Sequence, residues 1–201
     1  ILSKNQIFEM IFLVVIVFTN IILGFSLLKN KFFSFSILKN RFIGHVYLVG
    51  SLVLFCSIPN IGDFYNPYLV FSFLALIWVS DSAAYVFGVT FGKRPLFKTV
   101  SPKKSVEGFL GGLIFSIILS LIFFKYLNLD LSLSEWITLG ILTSCLGTLG
   151  DLVQSQFKRE AGVKDSGKWL PGHGGLYDRM DSIIFASPFI YLSLIIFKNV
   201  S

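Results

Sequence analysis

Asp178 and Asp181 stand three residues apart in a chain of 201 residues that is 54% hydrophobic. At i and i+3 they share one face of a helix. They fall where a long apolar run begins, at the positive end of its helix dipole. Two carboxylates so placed can share a hard divalent cation such as Mg²⁺, which commonly takes one or two carboxylates together with phosphate oxygens. Helix-terminal charge, or ion pairs with Arg179 or Lys168, would explain the same two acids. Asp151 tips the balance. It interrupts an apolar segment in Gly147-Thr148-Leu149-Gly150-Asp151, and a carboxylate inside a membrane is costly unless a metal or cation compensates it. Asp151, Asp178 and Asp181 are therefore the expected metal ligands. The alternative is a structural pairing of Asp151 with a Lys or Arg of a neighbouring helix.

These acids border a polar run, residues 155–181, with five Lys or Arg and four Asp or Glu. Lys158, Arg159, Lys164 and Arg179 suit phosphate, Arg through bidentate contact and Lys as a point charge. The turn Pro171-Gly172-His173-Gly174-Gly175 lets backbone approach a ligand closely, and successive N–H groups there can form an anion nest. An ordinary re-entry turn would look the same. His173 is expected to bind or to stabilise the turn rather than to catalyse.

A second cluster reads Ser101-Pro102-Lys103-Lys104-Ser105-Val106-Glu107-Gly108. Ser101 reads as an N-cap and Pro102 as the first helical residue. That would aim a helix N-terminus and two lysines at a triphosphate; a capped helix with orienting lysines fits equally. Glu107 could bind a metal or pair with a lysine. Gly108 and Gly112 form a G-x-x-x-G that points to close helix packing. Asp81, in Trp78-Val79-Ser80-Asp81-Ser82, is read as lying at the inner end of its span, lining a polar cavity or holding an interhelical network.

The elements that must carry these residues are membrane spans. Mean hydropathy is +0.78, too apolar for a typical soluble domain. Stretches near the ~20 residues that a crossing needs occur at about residues 7–28, 42–58, 67–87, 106–126, 135–157 and 180–197. Of the 17 basic residues, 14 fall in the linkers after the first, third and fifth stretches. The positive-inside rule puts those linkers in the cytoplasm and both termini outside. Cys56 and Cys145 lie in apolar segments without metal-ligand spacing and are expected to be small buried residues. The expectation is an all-α, polytopic helical membrane protein of about six transmembrane helices, one domain over residues 1–201. No nucleic-acid partner is expected.

At this point the residues resemble the phosphatidate cytidylyltransferases, or CDP-diacylglycerol synthases. The resemblance rests on Ser155, Phe157, Lys158, Arg159, Lys164, Asp165, Gly167, Pro171, His173, Gly174, Gly175, Asp178, Arg179 and Asp181. Upstream, Asp81-Ser82-x-Ala84-Tyr85 and the 101–108 segment are also similar to family segments, with Ser105 where Thr is usual. The likeness covers residues 68–197, the expected catalytic region. It implies transfer of the cytidylyl group of CTP to phosphatidic acid with Mg²⁺, a second cation being an option. It also implies a polar cavity facing the cytoplasm, a homodimer, and residence in the lipid bilayer of a bacterial-type inner membrane. Family members are usually longer, and the chain starts at Ile1, so a truncated N-terminus is expected. The implied catalytic set is Asp151, Asp178, Asp181, Lys158, Arg159, Lys164 and Arg179. Substrate binding falls to Ser101, Lys103, Lys104, Ser105, Glu107, His173, Gly174, Gly175 and Asp81. Rival readings are an archaeal-type ether-lipid cytidylyltransferase, a polyprenol kinase, or an ion transporter using Asp81 and Asp151. A CDP-alcohol phosphatidyltransferase is set aside, because its Asp-Gly-x-x-Ala-Arg opening is absent.

Overall fold

The computed structural model describes residues 4–28, 44–62, 64–163, 166–167 and 175–200. Its elements in chain order are α1 (Lys4–Leu28), α2 (Val46–Asn60), α3 (Pro67–Phe91), a hairpin of β1 (Pro95–Phe97) and β2 (Ser101–Ser105), α4 (Val106–Tyr126), α5 (Leu133–Glu160) and α6 (Tyr177–Val200). Five of them, α1, α3, α4, α5 and α6, are long and apolar enough to cross a membrane. The chain is a polytopic helical membrane protein. Of the second expected span the described part is α2, which opens with a π-helical turn (Val46–Gly50) and closes with a 3₁₀ turn (Ile58–Asn60); the described residues alone are fewer than the ~20 a crossing needs.

The helices begin where side chains satisfy their first N–H groups. Asn66 Oδ1 accepts from the Tyr68 N–H at 3.1 Å, with Pro67 at the first position of α3. Ser105 caps α4 through the Gly108 N–H at 3.1 Å. Ser132 and Glu135 form a reciprocal capping box on α5. Each such cap stabilises its helix by about 1 kcal/mol.

The spans pack through small residues, which let backbones approach closely in a membrane. A Cβ on Gly108 would stand 2.6 Å from the Ala84 carbonyl oxygen, and one on Gly112 2.7 Å from that of Ser80, so the G-x-x-x-G forms the α3–α4 seam as expected. On the α4–α5 seam the Ser116 hydroxyl donates to the Gly140 carbonyl at 2.9 Å. Gly147 and Gly150 bring α5 against Ser182 and Asp181 of α6. The Ser187 hydroxyl of α6 donates to the Ser51 carbonyl of α2 at 2.9 Å.

One apolar cluster joins α3, α5 and α6 through Phe73, Leu76, Trp136, Leu139, Ile190 and Leu194. A second joins α1, α2, α5 and α6 through Leu23, Tyr47, Leu152, Val153, Ile184 and Phe185. In α1 the buried stripe is Leu13, Ile16, Asn20, Leu23 and Leu27, at helical spacing. Phe8, Ile11, Val14, Phe18 and Phe25 are exposed on its other face, as a lipid-facing surface requires. Cys145 is half-buried, but Cys56 is exposed, so the expectation of two buried cysteines fails there.

Candidate active site

Three aspartates from three helices meet one lysine. Asp151 of α5 is paired through Oδ2 with the Lys104 ammonium of β2, and its Oδ1 accepts from the Ser155 hydroxyl at 3.3 Å. Asp81 of α3, Asp151 and Asp181 of α6 act on one another electrostatically, and Lys104 acts on Asp81 and Asp181 as well. Asp181 is buried, and its Oδ1 accepts from the Ser182 N–H at 2.8 Å. Asp81 is exposed and Asp151 part-exposed, so the cluster opens to its surroundings on one side.

Local packing explains the convergence. Gly150 admits α6 so closely that a Cβ there would sit 2.7 Å from the Asp181 carbonyl oxygen. That contact sets Asp151 beside Asp181. The Ser80 hydroxyl donates to the Ser144 hydroxyl at 2.8 Å, tying α3 to α5 one residue before Asp81. Leu96 and Phe97 of the hairpin pack on the cluster containing Leu152 and Val153, and Val100 is buried. With that face docked, Lys104 reaches Asp151.

Asp178 takes other partners. Its Oδ1 accepts from Lys158 Nζ at 2.9 Å and from Gln154 Nε2 at 3.1 Å. Its Oδ2 accepts from the Ser166 N–H at 2.9 Å, the Ser166 hydroxyl at 2.8 Å and the Gly175 N–H at 2.9 Å. The carboxylate therefore links α5 to both ends of the 166–175 segment. Asp178 and Asp181 share the start of α6, as their spacing requires, yet Asp181 joins Asp151 whereas Asp178 joins Lys158. Among the described residues no three His, Cys, Asp or Glu side chains stand ready to hold a metal ion. As the chain stands, ammonium groups neutralise Asp151 and Asp178.

The chain matches the profile of the cytidylyltransferase family over residues 2–197. It belongs to that family. Relatives named phosphatidate cytidylyltransferase include one from Staphylococcus saprophyticus, 47% identical over 128 residues, and one from Staphylococcus haemolyticus, 44% identical over 128 residues. Another, from Staphylococcus aureus strain COL, is 46% identical over 130 residues. Each alignment covers 64% of this chain and 49% of the relative. The chain thus spans about half the length of the curated relatives it matches.

Other expected site residues of this cytidylyltransferase-family chain fall as follows. Residues 101–105 form a strand, not the start of a helix, so Ser101 is not an N-cap and Pro102 is not helical. The cap is Ser105, four residues later. Lys103 is exposed beside the inward Lys104. Among the described residues Glu107 forms no ion pair with a lysine: its Oε2 accepts from the backbone N–H groups of Lys93 and Arg94 at 3.0 and 3.1 Å. Asp81 does not end its span, because α3 continues to Phe91. Arg159 and Arg179 are exposed and Gly175 is buried. Lys164, Asp165, Lys168, Pro171, His173 and Gly174 lie outside the described residues. The reading of the residues overlooked Gln154 and Ser166. Gln154 is a fully buried amide on a spanning helix, and the cost of an intramembrane polar group was the signal that marks it.

Proposed function

We propose that this chain carries the catalytic region of a phosphatidate cytidylyltransferase, which makes CDP-diacylglycerol and pyrophosphate from CTP and phosphatidic acid. The observation that carries the reading is the meeting of Asp81, Asp151 and Asp181, from three membrane-spanning helices, with Lys104 of the β1–β2 hairpin, in a member of the cytidylyltransferase family. Mixed charge at that depth is expensive unless it serves a ligand. One substrate of the proposed reaction is a lipid whose phosphate must reach polar residues while its acyl chains stay in the bilayer.

In the reaction proposed, an oxygen of the lipid phosphate attacks the α-phosphorus of CTP. The new O–P bond forms as the bond to the bridging oxygen of the β-phosphate breaks, and pyrophosphate leaves with that electron pair. The nucleophile is already anionic, so the protein's chief task is to bring two polyanions together and neutralise charge in the transition state. Lys104 and Lys158 stand inside the site for this work. Arg159, Arg179 and the expected Lys164 are the remaining phosphate-binding cations.

The residues fit Mg²⁺ by donor chemistry: three carboxylates, close enough to repel one another, share one ammonium. Asp151 and Asp181 would hold the ion, with Asp81 beside them; Asp178, an expected ligand by its spacing, is held by Lys158, Gln154, Ser166 and Gly175. When bound, the ion would clamp and polarise phosphate oxygens. The reading places the site at the cytoplasmic face of a bacterial inner membrane, where the basic linkers belong by the positive-inside rule. A homodimer is part of it.

Purified chain in lipid nanodiscs, given CTP, Mg²⁺ and phosphatidic acid, is expected to release pyrophosphate and form CDP-diacylglycerol. Turnover with a polyprenol or an ether lipid but not with phosphatidic acid would change the acceptor. Ion flux in liposomes without CTP turnover would overturn the reading.

A further inference from the structure

The β1–β2 hairpin has two unlike faces. Leu96, Phe97 and Val100 dock on the bundle, and Lys104 turns inward to Asp151. Lys93, Arg94, Lys98 and Lys103 are exposed. No Asp or Glu occurs between Asp81 and Glu107, and the Glu107 carboxylate is turned to backbone N–H groups. Lys93, Lys98 and Lys103 make no ion pair among the described residues.

The hairpin joins two spanning helices, α3 and α4, so it lies at a bilayer–water boundary. Beneath it are large exposed apolar groups: Val89 and Phe91 at the end of α3 (70% and 61% exposed) and Leu110 near the start of α4 (48%). A basic surface directly above an apolar one has the polarity of an anionic lipid, head above tail. Lysines act as flexible point charges, which suits mobile headgroups better than the fixed orientation of a nucleotide. Because strand residues alternate in direction, Lys103 faces out and Lys104 faces the acids. The outer surface and the site are neighbours along one strand.

We infer that the outer face of this hairpin is a docking surface for anionic lipid headgroups, where phosphatidic acid gathers before its phosphate passes to Lys104. The inference rests on the activity proposed above for the choice of lipid, but not for the binding itself.

The test uses the double variant Lys93→Gln/Lys98→Gln, and a charge-preserving double Arg variant, in nanodiscs with graded phosphatidic acid. In the Gln variant the apparent KM for phosphatidic acid rises on the order of 10-fold or more at low salt, while the KM for CTP stays within about twofold. The Arg variant keeps the parent value, and about 0.5 M salt narrows the difference by screening. A second measurement needs no turnover: native mass spectrometry counts phosphatidic acid retained after exchange into phosphatidylcholine. The parent and Arg variant retain it and the Gln variant does not. A raised KM for CTP with an unchanged lipid KM would assign the patch to the nucleotide and overturn the inference. Equal lipid retention by all three proteins would also overturn it. If the parent protein retains the lipid but has no cytidylyl transfer, the inference stands and the proposed activity falls.

Discussion

Gly150→Ala and Gly147→Ala, one turn apart on α5, should have opposite outcomes. At Gly150 the new methyl would stand 2.7 Å from the Asp181 carbonyl oxygen, 2.7 Å from Phe185 Cβ and 3.2 Å from Ser182 Cα. Non-bonded carbon contacts are optimal near 3.5–4.0 Å, so α6 must retreat by roughly 1 Å at the residue that carries Asp181. Two of the three obstacles are backbone, which cannot rotate away. Overpacking of this kind costs about 1–3 kcal/mol, against a gain of about 0.5–1 kcal/mol from replacing a helical Gly with Ala. The net effect is destabilising. A displacement of about 1 Å at reacting groups can cost on the order of 100-fold in rate. At Gly147 the methyl would meet Ser182 Cβ at 3.5 Å, an ordinary contact, so stability is unchanged or slightly raised and activity is kept. Thermal unfolding in detergent and pyrophosphate release from the same samples give both quantities. A Gly150→Ala protein as stable and active as its parent would refute the close approach that sets Asp151 beside Asp181. So would equal damage from both substitutions.

Removing Asp178 alone, as Asp178→Asn, strands a largely buried lysine and is expected to lower stability by about 3 kcal/mol; the double change with Lys158→Met should cost less than the sum of the two single changes, measured as a double-mutant cycle in chemical denaturation. Ser105→Ala, which removes the cap of α4, should cost about 1 kcal/mol, whereas Ser101→Ala should leave stability within about 0.5 kcal/mol, and a reversed order in thermal unfolding would restore the cap to Ser101. Lys104→Met should weaken cytidylyl transfer more than Lys103→Met does, because only Lys104 reaches the acids; equal losses in kcat/KM would contradict the two-faced hairpin.

Much of the fold was legible because a bilayer limits what a chain can do. Five of the six long apolar stretches became helices long enough to cross a membrane, and the second contains an apolar helix over Val46–Asn60. Asp151 announced itself by the cost of a carboxylate in an apolar helix, Asp181 by its spacing from Asp178 at the start of an apolar run, and Gly108 and Gly112 announced the α3–α4 seam. What stayed hidden depended on contacts distant in sequence. Ser101-Pro102 carries the local signature of a helix start, but Leu96, Phe97 and Val100 find a docking site on α5 and α6, and the segment pairs as a strand instead. Glu107 had a cation nearby in sequence, yet the backbone turn after α3 delivers two N–H groups to it first. The i, i+3 spacing put Asp178 and Asp181 on one face; it could not reveal that Gln154, Lys158 and Ser166 would draw Asp178 to a separate set of donors.

The most direct measurement is Mn²⁺ binding by electron paramagnetic resonance, in the presence of CTP, to the parent chain and to Asp151→Asn and Asp181→Asn. One tightly held ion in the parent, with its signal reverting to that of the Mn²⁺–CTP complex in solution in both folded variants, is the predicted result. Undiminished binding by both would mean that the acids around Lys104 are not where the cation and phosphates meet.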